Sequence, residues 1–374
     1  MKKLLLLLAV SGVLTSCQTK NDAEPTLRQK AAQMLMVGFR DTAITAESEV
    51  AQWLRDYQIG GVILFEYDGP SKSRPRNITS KQQLKTLIDN LNCLSPTPLF
   101  VAVDEEGGNV SRLKTRYGFE PTVTPQYLGT LDNEDSTRFY ARRIAQTCRN
   151  LGINVNFAPS VDVNVNPDCP IIGKIGRSFS ADAEVVARNA RWFISEHNKA
   201  GVLCAIKHFP GHGSSVSDTH LGLADVTQTW TNTELLPYWL LLRDSLPTAV
   251  MTSHIFNRNI DSVYPATLSA ATLSILRNSI QFNGLIFSDD MMMNAISKFY
   301  GLEDAIRLAI NAGVDMLIFS NNIDTYNPDI VKDAVDIIVS LVDEGKISEA
   351  RIDEAYQRIM GAKNGMKNNK LVAE

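Results

Sequence analysis

The chain has 374 residues, of which 44% are hydrophobic and 21% charged, and its formal charge is −4 at pH 7. This is the composition of an ordinary globular protein, long enough to bury one large core. The mildly acidic balance leaves no electrostatic footprint for nucleic acid, which is not expected as a partner.

Lys2 and Lys3 precede an almost wholly apolar run that ends in Leu14-Thr15-Ser16-Cys17. The run is too short to cross about 30 Å of hydrocarbon, and its charged, apolar and small-residue parts, in that order, resemble a bacterial lipoprotein signal. A plain export signal with a coincidental cysteine is the alternative. On the first reading residues 1–16 are removed, Cys17 becomes the lipidated amino terminus and residues 17–29 form a tether. The protein is then exported and anchored to a membrane by its acyl chains, facing the periplasm or the cell surface. One continuous domain is expected over 30–366, with a short tail over 367–374, because no Pro/Gly/Ser-rich linker divides the chain.

Short apolar, β-branched runs follow at 34–39, 61–65, 99–104, 154–159, 203–208, 249–254, 284–289 and 316–320. Continuous apolar runs suit strands covered on both faces, as in a parallel sheet. Helical periodicity occupies intervals between them at 84–94, 183–198, 234–244, 302–312 and 330–342. Eight strands alternating with helices predict a single (β/α)8 barrel, a TIM-type fold of the α/β class. An open doubly wound sheet is the alternative, but the Gly-rich turn expected after its first strand is missing. Cys93, Cys148, Cys169 and Cys204 have no metal-ligand spacing. A domain of this size needs no disulfide staples, so they read as small buried hydrophobes.

A barrel of this kind carries its chemistry where strands end and βα loops begin. Polar clusters stand at those points: Asp104-Glu105-Glu106-Gly107-Gly108, Asn164 and Asn166, Lys207-His208, Ser253-His254, and Ser288-Asp289-Asp290. The most informative segment is Lys207-His208-Phe209-Pro210-Gly211-His212-Gly213, followed by Asp218-Thr219-His220. Its proline and glycines exclude a helix, which leaves a loop carrying three histidines over the barrel mouth. In Asp218-Thr219-His220 a carboxylate can hold one ring nitrogen while the other exchanges protons near neutral pH.

Together with Val101-Ala102-Val103-Asp104-Glu105-Glu106-Gly107-Gly108, Asn156-Phe157-Ala158-Pro159, Gly176-Arg177-Ser178-Phe179 and Phe287-Ser288-Asp289-Asp290, this segment resembles the family 3 glycoside hydrolases. Within that family it is most similar to the bacterial β-N-acetylglucosaminidases (β-N-acetylhexosaminidases) of cell-wall recycling. The matching segments keep a consistent order from about Leu27 to Val314. The resemblance implies that Asp289 is the nucleophile of a retaining mechanism through a covalent glycosyl-enzyme, with His220 as acid/base and Asp218 as its orienting partner. It further implies that Asp104, Arg112, Arg177, Lys207 and His208 hold a terminal N-acetylglucosamine, from peptidoglycan fragments or related glycans. No metal or organic cofactor is implied. Related two-domain β-glucosidases generally take their acid/base from a second domain, so a single barrel has to supply its proton donor from a loop of its own. The chain departs from the family at Asn109, where an arginine is common, and at Met291 to Met293.

Other residues read less sharply. Asp290 reads as a helix cap, and of the three acidic residues ending the third strand only Asp104 reads as a ligand contact. His212 and His254 read equally as ligand contacts or as residues that close their loops, His197 as inert surface, and Trp53, Trp192, Trp230 and Trp239 as packing. The loop over 66–75, with Lys72 and Arg74, reads as solvated surface, a contact with the leaving-group side being the sharper alternative. A rival function is a metal-dependent hydrolase with His208, His212, Asp218 and His220 as ligands. Pro210-Gly211 breaks the i, i+4 helix face that zinc motifs use, and this rival leaves Ser288-Asp289-Asp290 without a role. A catalytically dead muropeptide-binding lipoprotein has no support, since every matched catalytic residue is present, whereas transfer to phosphate instead of water would use the same residues.

Overall fold

In the computed structural model, which describes residues 24–73, 75–219, 222–243 and 246–367, the eight apolar runs are the strands of a closed parallel barrel. The strands are β1 (Leu35–Gly38), β2 (Gly61–Ile63), β3 (Phe100–Val103), β4 (Val155–Asn156), β5 (Leu203–Phe209), β6 (Ala249–Thr252), β7 (Ile286–Asp290) and β8 (Met316–Phe319). Each pairs with the next in sequence, and β8 closes on β1 with Leu35 opposite Leu317. Nearly every strand residue is buried, as expected of strands with helices outside and side chains filling the barrel. Phe287 makes edge-to-face ring contacts with Phe100 and Phe157, at centroid distances of 6.2 and 5.2 Å. The signal-like segment, Cys17 and residues 368–374 lie outside the described residues.

Local chemistry sets the helices. Lys81–Leu94 starts where the Ser80 hydroxyl accepts the Gln83 amide, and Glu134–Leu151 where the Asn133 side chain accepts the Ser136 amide. The helix expected over 234–244 is split into a 3-10 turn, Asn232–Leu235, and an α-helix, Leu236–Leu242. Pro237 falls in the first turn of the α-helix, where its missing N–H costs nothing. Residues 27–29, counted above with the tether, are the first turn of the helix Leu27–Gln33, which Thr26 and Gln29 fix with a capping box.

Two readings are corrected. His197 is fully buried in the helix Ala183–Lys199, its Nε2 3.1 Å from Asn156 Nδ2 and its Nδ1 3.0 Å from the Phe193 carbonyl. Polar sequence neighbours concealed this, because the helix turns His197 onto the barrel. Cys148, Cys169 and Cys204 are buried thiols, but Cys93 is exposed, on the outer face of Lys81–Leu94.

The last helix, Glu349–Lys367, covers the barrel floor. Lys363 is 2% exposed, donates to Gln33 Oε1 at 2.6 Å and lies 5.0 Å from the Phe100 ring. Asp315, just before β8, accepts from Arg277 at 2.7 Å, Arg351 at 2.9 Å, Arg358 at 3.1 Å and the Ile286 amide at 3.0 Å. One fully buried carboxylate thus joins β7, β8 and the last helix. Asp315→Ala leaves three guanidinium groups without this counter-charge and is expected to cost about 3–5 kcal/mol of stability, read as a lower midpoint in urea unfolding.

Candidate active site

The strand ends that carry the chemistry are irregular. Between β5 and β6 the register shifts from Ile206 opposite Val250 to Phe209 opposite Thr252, so β5 holds one extra residue around Lys207 and His208. Between β7 and β8 it shifts from Phe287 opposite Met316 to Asp290 opposite Ile318, which inserts one around Ser288 and Asp289. Such bulges re-aim side chains that regular alternation would send to opposite faces. A cleft of about 450 Å³ lies over these ends, bordered by Asp104, Arg112, Arg177, Lys207, His208, Asp218 and Asp289. Phe157, Met251 and Ile318 line it from within the barrel. Of the residues that the resemblance assigns to catalysis and sugar binding, all those described border this one space, whereas Asn164, Asn166 and His254 do not. His220, Leu221 and Arg74 lie outside the described residues.

A buried chain of charges orders the cleft. Lys207, 2% exposed, donates to Asp104 Oδ1 at 2.8 Å and lies 2.7 Å from Glu106 Oε1. Glu106 also takes a two-pronged grip from Arg177, at 2.9 and 2.6 Å, and Arg112 reaches Asp104 Oδ2 at 3.2 Å. Arg177 has only protons to offer, so His208 Nε2, 3.1 Å away, accepts, and His208 Nδ1 donates to Asp162 Oδ2 at 2.7 Å. Burial pushes Asp104 up, but Lys207 and Arg112 overcome it and hold the carboxyl well below its ordinary value. Glu106 is likewise pushed up by burial and brought down by Arg177 and Lys207 to about 2. Asp162 follows the same pattern, brought down by His208 to about 2.

Glu106 and Asp162 had not been singled out. Glu106 sits in a run of three acids whose members differ only in direction: Asp104 meets the cleft, while Glu105 Oε2 turns back to accept the amides of Arg112 and Leu113, both at 2.9 Å. Asp162 is a lone acid in an apolar stretch, the sort of residue that is buried only when something pays for its charge. Here His208 and the amides of His208 and His212 do so. His197 contributes from behind, by holding Asn156, whose amide brackets both backbone groups of Glu105.

Asp290 is not a helix cap. Its carboxylate accepts the Met292 amide at 3.1 Å, the Ser320 amide at 2.9 Å and the Ser320 hydroxyl, while the next helix, Asn294–Ser297, begins at Met293 without a side-chain cap. The β7 bulge turns the Asp290 carboxylate across to β8, and only its backbone carbonyl meets the residue before that helix, accepting the Met293 amide at 3.0 Å. His254 holds the Asp290 carbonyl at 2.9 Å. His212 borders the cleft, 3.4 Å from the Thr219 hydroxyl, and burial pushes it down to about 4. The loop after β2 begins as cleft wall and not as solvated surface: Glu66 and Tyr67 border the cleft, and Glu66 pairs with Lys114 and Arg116. Asp68 and Arg76, both buried, pair at 2.5 Å, and Arg76 donates to the carbonyls of Ser320 and Asn321 after β8. Lys72 is exposed.

Comparison with known proteins agrees with this fold. The profile of the Glycosyl hydrolase family 3 N terminal domain matches residues 26–362. The chain belongs to glycosyl hydrolase family 3. This family 3 chain is 34% identical over 297 residues to a "Beta-hexosaminidase" of Idiomarina loihiensis, covering 77% of the chain and 84% of that protein. It is 32% identical over 331 residues to "Beta-hexosaminidase A" of Pseudoalteromonas piscicida, of which it spans only about half, 53%. Among solved structures it resembles a family 3 β-N-acetylglucosaminidase from a Paenibacillus species, with a TM-score of 0.83 and 32% identity over 94% of this chain and 64% of that one. It also resembles a β-N-acetylhexosaminidase from Beutenbergia cavernae, with a TM-score of 0.80 and 28% identity over 92% of this chain and 100% of that one. The protein is accordingly a glycoside hydrolase.

The depressed carboxyls of this family 3 barrel fix a pH dependence. Glu106 and Asp162 release protons more readily folded than at their ordinary values of 4.5 and 3.8, so the folded chain binds fewer protons than the unfolded one. The stability they contribute is present above those ordinary values and lost as pH falls towards 2. Urea midpoints measured from pH 6 to pH 3 are expected to fall more steeply for the wild type than for Glu106→Gln, which starts less stable and gives a flatter curve.

Proposed function

We propose that the protein is an exo-acting, retaining β-N-acetylglucosaminidase that removes terminal β-linked N-acetylglucosamine from peptidoglycan fragments or related glycans. The observation that carries this reading is the shared cleft, in which Asp289 from β7 borders the same space as Asp104, Arg112, Arg177, Lys207, His208 and Asp218. Its volume of about 450 Å³ suits a small ligand, and it is blind on the barrel side, where Phe157 packs on Phe287. A blind pocket favours the end of a glycan over its middle.

In this mechanism Asp289 attacks the anomeric carbon as the glycosidic bond breaks, and His220, held by Asp218, protonates the departing oxygen. The resulting ester joins the sugar to Asp289. His220 then takes a proton from an incoming water, whose oxygen displaces the carboxylate and restores the β configuration. Asp104, kept ionised by Lys207 and Arg112, accepts hydrogen bonds from sugar hydroxyls, and the cationic side chains donate to the sugar's oxygens. The metal-hydrolase alternative is disfavoured by His208, whose two ring nitrogens face Asp162 and a guanidinium, leaving neither for a cation. The lipoprotein-like start supports an exported protein anchored through Cys17.

Asp289→Ala is expected to lower turnover of an aryl N-acetyl-β-glucosaminide more than about 10,000-fold while the fold is kept; near wild-type turnover would remove Asp289 from the mechanism. His220→Ala should slow poor leaving groups by about 100-fold or more and activated aryl groups far less. Among aryl β-glycosides differing only at carbon 2, the acetamido sugar should be preferred, and a preference for the glucoside would overturn the substrate assignment.

A further inference from the structure

The loop after β5 carries Asp218 and His220, and its base is held by two buried carboxylates acting on backbone amides. Asp162 Oδ1 accepts from His208 N at 3.2 Å and His212 N at 2.8 Å. Glu234 Oε2 accepts from Gly213 N at 2.8 Å and Ser214 N at 3.2 Å. Glu234 is fully buried and comes from the 3-10 turn Asn232–Leu235, a segment outside the cleft. The loop lies tight on it: a Cβ on Gly211 would come within 2.5 Å of the Glu234 Cβ, and Gly211 has a φ of +121° that disfavours one in any case. On the other side, Asn166 donates to the carbonyls of Gly213 at 3.1 Å and Ser215 at 3.0 Å. Past Ser215 the chain turns outward, with Val216 67% exposed, and returns to the cleft at Asp218 and Thr219. From the clamped base, the imidazole of His212 faces the Thr219 hydroxyl, between Asp218 and His220 in sequence.

We propose that Glu234 is a positioning residue: by clamping the amides of Gly213 and Ser214 it sets where the Asp218–His220 segment stands over the glycosidic oxygen. This rests on the reading of that segment as the proton donor. Glu234 does not reach the cleft and touches no sugar. Its effect is therefore on the proton transfers made by that segment, to the departing oxygen and from the incoming water, and not on the hold on the sugar. What the clamp requires is an acceptor at the position of Oε2, not a charge. Burial pushes the Glu234 carboxyl up to about 7, so a neutral amide in its place is a small electrostatic change.

The experiment compares Glu234→Gln, Glu234→Asp and Glu234→Ala with His220→Ala. Each is assayed on an activated dinitrophenyl N-acetyl-β-glucosaminide, which leaves without help, and on N,N′-diacetylchitobiose, whose leaving sugar must be protonated. Glu234→Asp pulls the carboxylate back by about 1.5 Å and keeps a partner for the amides, so it remains informative should Glu234→Ala, with two unpaired buried amides, fail to fold. The expected result is a loss in kcat/KM of about 10-fold or more for Glu234→Asp on chitobiose, little change in kcat/KM on the aryl substrate, and recovery in Glu234→Gln. Equal losses on both substrates, or none, alongside a selective loss in His220→Ala, overturn the role of Glu234. A non-selective His220→Ala instead overturns the proton-donor reading on which that role depends.

Discussion

A buried ammonium group is costly unless opposite charge meets it at hydrogen-bond distance, and Lys207 meets two carboxylates, Asp104 and Glu106, on the neighbouring part of the barrel. The rest of the cleft follows from that requirement. Glu106 has to remain ionised to serve Lys207, and Arg177 makes it so with a two-pronged grip; Arg177 directs a further proton to His208, and Asp162 fixes that ring from the other side. Each member is held by the next through an ion pair or hydrogen bond, so β3, the loop after β4 and β5 are locked into one unit before any sugar arrives. Preorganised charge of this sort avoids reorganisation when the substrate's own charge develops.

The far wall is built by the same logic with different residues. Arg76, almost completely buried, is satisfied by Asp68, Asn322 and carbonyls at the ends of β1 and β8. It ties the loop after β2 to the loop after β8, across the seam where the barrel closes. The acidic residues of β7 lie between these two locked regions. Both border the cleft, but the Asp290 carboxylate is held by Ser320 and the turn after β7.

Much of this was legible in the residues. All eight apolar runs are strands, and the polar clusters at their ends converge, because both follow from burial and from the direction of a parallel barrel. What could not be read was the second layer. Asp162, Glu106 and Glu234 act on groups distant in sequence, and no local pattern distinguishes them from solvated acids. His197 looked like surface because its neighbours are polar, yet the phase of its helix decides. Asp290 looked like a cap because a helix follows, but a one-residue bulge in β7, invisible to any propensity, redirects it. The loop after β2 looked polar for the ordinary reason that loops are, whereas its charges are spent on Arg76 and Glu66 pairs that only the closed barrel brings together.

The pairing of Leu35 with Leu317 bears on how the molecule is made. Neighbouring strands elsewhere in the ring lie close enough in sequence to find each other as synthesis proceeds, but the first strand must wait for the last. Loop-closure entropy delays such a distant match until the intervening units have collapsed. The seam can zip only once β8 has been made, and a nascent chain that stops short of Met316 is an open ring with unsatisfied edges on β1 and β7.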